Sequence, residues 1–242
     1  MIDKLIFIVP CYNASQNLET LINSLKEQTD NRWYAVFVDD MSEDDTASKL
    51  VTLCESNFDR FSVFVNKEKK FALRNIVEQA RKFQDDDSLA IAVLDGDDSL
   101  CNKDTVKLVL DEYTNNDADC VWTAHKWDVT GMNISGPLPD VGDVYAMRWK
   151  SSHLKTFKAS LLRQVCDANF KDLDGSWFTR GYDAALMSPL LHESKRRVYI
   201  PEVCYLYNIN SCSFPSSRRS WAEREQLKTI NTIRARKFIV NE

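Results

Sequence analysis

Four apolar runs constrain this chain more than any other feature: Leu5–Val9, Tyr34–Val38, Phe61–Val65 and Leu89–Leu94. A strand wetted on one face alternates polar and apolar residues, whereas a near-continuous apolar run marks a strand covered on both faces. Between the runs, apolar side chains recur at helical spacing. The sets are Leu18, Leu21, Ile22 and Leu25; Ala47, Leu50, Val51 and Cys54; and Leu73, Ile76, Val77 and Ala80. Ser42 is positioned to cap the second of these helices, with Asp45 three residues later. A helix near Thr105–Tyr113 and a strand near Cys120–Thr123 extend the alternation. The pattern predicts an α/β fold with a mostly parallel central sheet flanked by helices.

The second half is less regular. Gly131–Asp143 reads as an excursion or a hairpin. Leu154–Val165 and Ala184–Leu191 read as helices, and Arg197–Ile200 and Val203–Tyr207 as two short strands. Ser220–Phe238 reads as a terminal helix rich in Arg and Lys. Neither a repeat nor a low-complexity segment is present, and 242 residues suit one domain.

Charge divides the chain. Residues 1–121 carry 13 basic and 24 acidic side chains, and residues 122–242 carry 18 and 12, behind a net charge of −5. The total argues against a general DNA-coating protein, but the asymmetry leaves room for an anionic partner of the second half. Seven cysteines, an odd number without CxxC spacing, suit reduced thiols and a cytoplasmic location. No apolar run approaches the length of a membrane span, and Leu5–Val9 is too short for a signal segment.

In open α/β sheets, ligands bind beyond the carboxyl ends of the strands. Three such ends here are polar: Pro10-Cys11-Tyr12-Asn13, Asp39-Asp40, and Asp95-Gly96-Asp97-Asp98. Gathered carboxylates repel one another unless a cation or hydrogen-bonding ligand joins them. Mg²⁺ or Mn²⁺, with oxygen ligands and substrate phosphates, suits such a cluster. Neither a Walker A sequence nor GxGxxG occurs, which disfavours P-loop kinases and dinucleotide enzymes. Pro10–Asn13 is not a glycine-rich phosphate loop, which disfavours a nucleotidyltransferase.

In order and spacing these segments resemble the family 2 glycosyltransferases, with their GT-A fold. The elements are Ile8–Asn13, Leu18-Glu19 through Gln28-Thr29, Val38–Thr46, Arg74-Asn75 and Leu94–Asp98. The resemblance covers residues 4–124 well and 150–213 more loosely. It implies a single domain over 1–242, with a nucleotide-sugar half over 1–124 and an acceptor half over 125–242 that ends in a basic helix. It also implies a metal-dependent, inverting transfer from a UDP-sugar. Pro10 and Tyr12 would line the base pocket, and Asp39 would accept a hydrogen bond from the base. Arg74 would lie near the nucleotide and Asp95 near the ribose or sugar. Asp97 would bind Mn²⁺ or Mg²⁺ as in the family's DxD motif, with Asp98 supporting the turn.

The resemblance also directs the search for a base. Such enzymes use a carboxylate opening a helix after a glycine- or aromatic-rich loop, which in Gly175–Asp183 is Asp183. Tyr182 stands where relatives carry a second acid. Many relatives supply a metal-binding His from a segment that here reads Tyr205–Ser213, without His, leaving Asn210 as a weak substitute. His153 and Trp177 fall on the acceptor side. Arg148, Lys150, Lys155, Lys158 and Arg163 occupy 146–163 without an acid, which suits a phosphate-bearing acceptor. The acceptor stays open between a glycan or polysaccharide precursor, a lipid-linked sugar, and a hydroxymethylated or glycosylated DNA base as in phage-type enzymes. An inactive sugar-nucleotide-binding module is the reading from another class.

Overall fold

The computed structural model describes residues 1–55, 59–209 and 216–240. The order is β1 (Lys4–Cys11), α1 (Leu18–Lys26), β2 (Trp33–Asp39), α2 (Thr46–Cys54), β3 (Phe61–Val65), α3 (Phe71–Ala80) and β4 (Leu89–Val93). Then follow β5 (Ser99–Leu100), α4 (Thr105–Asn115), β6 (Cys120–Trp127), β7 (Lys155–Lys158), α5 (Tyr182–Glu193), β8 (Arg197–Tyr207) and α6 (Ser216–Arg236). Among the described residues the strands form one eight-stranded sheet in the order β3-β2-β1-β4-β7-β6-β8-β5. β1, β2, β3 and β4 pair in parallel, while β7 runs antiparallel to both β4 and β6. This is the α/β, mostly parallel, helix-flanked sheet of the GT-A fold.

The β1, β2 and β4 runs are apolar because both faces of the sheet are covered there, whereas the remaining run, β3, is an edge strand whose Phe64 and Val65 are exposed. In β1, Leu5, Phe7 and Val9 join a core with α1, α2 and α4, while Ile6 and Ile8 join a second core with α3 and α5. Successive strand side chains point to opposite faces, so every position of such a strand needs an apolar residue. The chain adds β2 and β3 on one side of β1, then returns to place β4 on the other. That reversal opens a crevice at the carboxyl ends of β1, β2 and β4.

Several sequence expectations need correction. The helix expected over Leu154–Val165 is instead β7 followed by a 3₁₀ turn at Ala159–Gln164. Its apolar spacing arises because Phe157 is buried between β4 and β6, which β7 bridges. The two strands expected over Arg197–Ile200 and Val203–Tyr207 are one strand, β8. Its register with β6 shifts where Thr123 pairs with Ile200 but Ala124 with Val203, so Pro201 falls in a bulge that needs no amide. Ser42 does not cap α2. The helix starts at Thr46, with Asp45 as its N-cap residue, and the Ser42 hydroxyl accepts the Asn13 amide at 2.9 Å. No described helix is long and apolar enough to cross a membrane.

Candidate active site

The carboxyl ends of three strands are tied together by backbone. The Asp40 amide donates to the Cys11 carbonyl at 2.8 Å, and the Gly96 amide donates to the Pro10 carbonyl at 3.1 Å. Glycine is required at 96 by space: a Cβ there would lie 2.7 Å from Cys11 Sγ and 2.9 Å from the Pro10 carbonyl oxygen. Asp95 and Asp97 are thereby presented beside the end of β1.

Most acids at this edge have structural partners. Asp40, 3% exposed, accepts the Lys70 and Phe71 amides at 2.8 and 2.9 Å and Asn66 Nδ2 at 2.9 Å, so it holds the start of α3. Asp44 accepts the Ser15 and Thr46 amides. Asp98, also buried, accepts the Tyr205 hydroxyl at 2.6 Å and the Asn208 amide at 2.8 Å, which fastens the end of β8. Asp39 differs. It is 1% exposed and its Oδ2 accepts the Ser42 amide at 3.3 Å, yet its Oδ1 has no hydrogen-bond partner among the described residues. A buried carboxylate oxygen in that state is costly unless a ligand completes it.

Asp95 belongs to a network that reaches across the sheet. The Tyr182 hydroxyl donates to its carboxylate. Lys155 Nζ donates to the Tyr182 hydroxyl at 3.3 Å, donates to His153 Nδ1 at 3.0 Å, and pairs with Asp183. Lys155 is fully buried, and the strand register puts it opposite Val93 of β4 and Trp122 of β6, two residues before Asp95. Because ammonium has no lone pair, His153 must accept through Nδ1 and stay neutral. Burial and the nearby Lys155 hold its pKa well below the usual imidazole value. The His153 ring stacks on Tyr205 with centroids 4.6 Å apart, and its Nδ1 lies 3.8 Å from Asp95 Oδ2.

Burial pushes the Asp95 carboxyl up to about 6, opposed by Lys155 and reinforced by Asp183 and Asp97. Burial raises Asp183 most, but Lys155, His153 and the Tyr182 hydroxyl together outweigh it and the carboxyl ends below its ordinary value. Asp183 sits in the first turn of α5, where the helix dipole favours a carboxylate. Gly181, at φ +65, turns the chain directly into that helix. Asp95, Asp98 and His153 each present a ligand atom within 4.8 Å of the others, so this group could hold a cation.

The remaining sequence candidates are distributed as follows. Pro10 is the penultimate residue of β1 and Tyr12 follows the strand, its hydroxyl reaching Glu43 at 3.4 Å with the Lys69 ammonium over its ring. Arg74, on α3, is engaged by Glu78 at 2.7 Å and Glu68 at 3.4 Å. Asp97 is half-buried, and its carbonyl accepts Asn17 Nδ2 at 2.7 Å. Trp177 stacks on Phe170 and packs on the core, apart from the Asp95–Asp183 network. Asn210 lies outside the described residues. The structure thus brings Asp95, His153 and Asp183 together, and adds Lys155 and Tyr205.

Sequence comparison decides the family. The model for Glycosyl transferase family 2 matches residues 6–171, more than half of the chain. The chain belongs to glycosyl transferase family 2. No curated protein matches it in sequence. Among solved structures, this glycosyltransferase is similar to residues 1–349 of TarS from S. aureus, with TM-score 0.67 and 19% identity. The match covers 99% of this chain and 67% of that one. The complex of that TarS fragment with UDP-GlcNAc matches with TM-score 0.67 and 18% identity, covering 99% and 68%. The mannosyltransferase PcManGT from Pyrobaculum calidifontis, in complex with GDP-Man and Mn²⁺, matches with TM-score 0.64 and 15% identity, covering 100% and 66%. At these identities the likeness establishes the fold.

Beside Asp183 the glycosyltransferase has a cleft of about 90 Å³, bounded by the irregular 131–154 segment, α5 and α6. Of the five cations in 146–163, only Arg148 and Lys150 line it. Lys155 pairs with Asp183, Lys158 with Asp117 and Asp119 at 2.8 and 3.0 Å, and Arg163 with Asp87 at 2.6 Å. Sequence reasoning took Lys155 for part of a basic surface. The available signal was its spacing: His153 and Lys155 are two apart, as for two side chains on one face of a strand.

Proposed function

We propose that the protein transfers a sugar from a nucleotide sugar, a UDP-sugar, to an acceptor hydroxyl with inversion at the anomeric carbon. The observation that carries this reading is the hydrogen-bonded path from Asp95 through Tyr182 and Lys155 to Asp183. It joins a carboxylate at the β4 end to one that opens onto the cleft. The fold shared with TarS in complex with UDP-GlcNAc, and with a mannosyltransferase in complex with GDP-Man and Mn²⁺, supports it.

In this reading residues 1–124 hold the donor and 125–242 the acceptor. Pro10 and Tyr12 border the nucleobase, and the unpartnered Oδ1 of Asp39 accepts an N–H from it. Arg74 turns to the nucleotide by leaving Glu78 and Glu68. The acids fit a divalent cation, because hard carboxylate oxygens are crowded here and Asp95, raised first by burial, is raised further by Asp183 and Asp97. Asp95 and Asp97 would hold Mn²⁺ or Mg²⁺, with Asp98 anchoring the turn through Tyr205 and Asn208. Such a cation supplies positive charge against the leaving diphosphate.

The acceptor oxygen attacks the anomeric carbon as the bond to the diphosphate breaks, and the diphosphate leaves with the electron pair. The acceptor proton passes to Asp183, which its lowered pKa keeps ionised beforehand. Lys155 fixes the Asp183 carboxylate, and His153 fixes Lys155. Trp177 supports the acceptor side through its packing on Phe170.

A nucleotide-sugar panel with Mn²⁺, read by diphosphate release, tests the reading. UDP-sugars are expected to turn over, and Asp183→Asn to bind UDP normally while losing transfer. Silence across the panel would leave only a binding module, and full activity of Asp183→Asn would remove it as the base.

A further inference from the structure

The cleft beside Asp183 differs in chemistry from the acidic sheet edge. Val144, Met147, Trp149 and Ile230 line it without being fully buried, so aliphatic and indole surface faces its interior. A ligand dense in hydroxyls would leave them unpaired against such walls, which disfavours an oligosaccharide along the whole cleft. Arg148, Lys150 and Arg234 add cationic groups. None of the three belongs to an ion pair among the described residues, whereas Lys155, Lys158 and Arg163 each meet a carboxylate. Arg234 makes only a long contact, 3.4 Å, to the Met147 carbonyl among the described residues. Three cations converging on one partly apolar cleft suit an anionic ligand.

We propose that this cleft takes an anionic amphiphile as the acceptor. Its apolar body lies along Val144, Met147, Trp149 and Ile230, its phosphate or carboxylate meets Arg148 and Lys150, and its hydroxyl faces Asp183. Calling this ligand the acceptor rests on Asp183 being the base.

Isothermal titration of the full chain with n-octyl phosphate, n-octanoate, n-octanol and inorganic phosphate tests it, with UDP and Mn²⁺ titrated in parallel. One of the two anionic amphiphiles is expected to bind at least about tenfold tighter than octanol or phosphate. The tighter of the two names the anion. Arg148→Gln with Lys150→Gln, at exposed and half-buried positions, should abolish that advantage and leave UDP binding unchanged. Lengthening an alkyl phosphate from butyl to octyl should tighten binding about threefold per methylene where the chain is fully buried. Equal binding of octanol and the anions, an advantage that survives the double variant, or a flat chain-length series would overturn the proposal. So would an oligonucleotide that binds through Arg148 and Lys150 where octyl phosphate does not. Loss of UDP binding alone would remove the donor reading and leave the cleft's ligand class standing.

Discussion

The acidic sheet edge and the basic 146–163 segment look alike as charge clusters, yet they divide their charges differently. At the sheet edge, Asp40, Asp44 and Asp98 accept backbone amides and hold loops in place. Their neighbour Asp39 keeps an oxygen without a partner among the described residues, and burial raises the carboxyls of both Asp95 and the anchoring Asp98. In the basic segment, Lys155, Lys158 and Arg163 meet carboxylates from other parts of the chain, while Arg148 and Lys150 face the cleft. In both regions most charges serve the fold. Function is sought in the minority that folding leaves without a full set of partners.

The sharpest way to break this comparison is at Asp183. Asp183→Asn keeps the size and loses the proton acceptor, and is expected to lower transfer at least about a hundredfold in a diphosphate-release assay. A loss of UDP affinity of similar size would mean that Asp183 belongs to the donor side instead. Next comes Lys155→Met, which leaves the Asp183 carboxylate without its buried cation. It should cost about 3 kcal/mol in urea unfolding, because one partner of a buried pair is removed. A cost below that of an exposed pair such as Arg163–Asp87 would erase the distinction between engaged and available cations.

On the acidic side, Asp40→Ala strands the Lys70 and Phe71 amides and should destabilise by about 2 kcal/mol, read from the same urea midpoints. The remaining expected effect is in pH. Burial, then Lys155, lowers the His125 pKa from 6.5 to about 4. The unfolded chain therefore binds the extra proton first, and stability held above pH 6.5 is lost as pH falls toward 4. His125→Asn should flatten that part of a melting-temperature profile, and an unchanged slope would assign the loss to other groups.

The sheet was largely legible before any coordinates. Each of the four apolar runs became a strand; in β1, β2 and β4 burial on both faces imposes a local demand on every residue of the run, whereas edge strand β3 leaves Phe64 and Val65 exposed. The second half was less legible. Phe157 gave helical spacing to a segment that pairs as β7, because two strands distant in sequence, β4 and β6, were waiting to bond it. Pro201 suggested a break between two strands, yet a bulge absorbs it.

By itself the sequence determined the alternation of strands and helices, the polar carboxyl ends of β1, β2 and β4, and the resemblance to family 2 glycosyltransferases. It also marked Asp95 and Asp183 as candidates from the segments around them. Only the tertiary structure decided that Lys155 is a buried partner of Asp183, that Asp40 and Asp98 are anchors, and that Arg148 and Lys150 face a cleft. The physical reason is range. Apolar periodicity reports an environment that each short segment carries with it, whereas a charge takes its role from partners that only folding brings within a few ångströms.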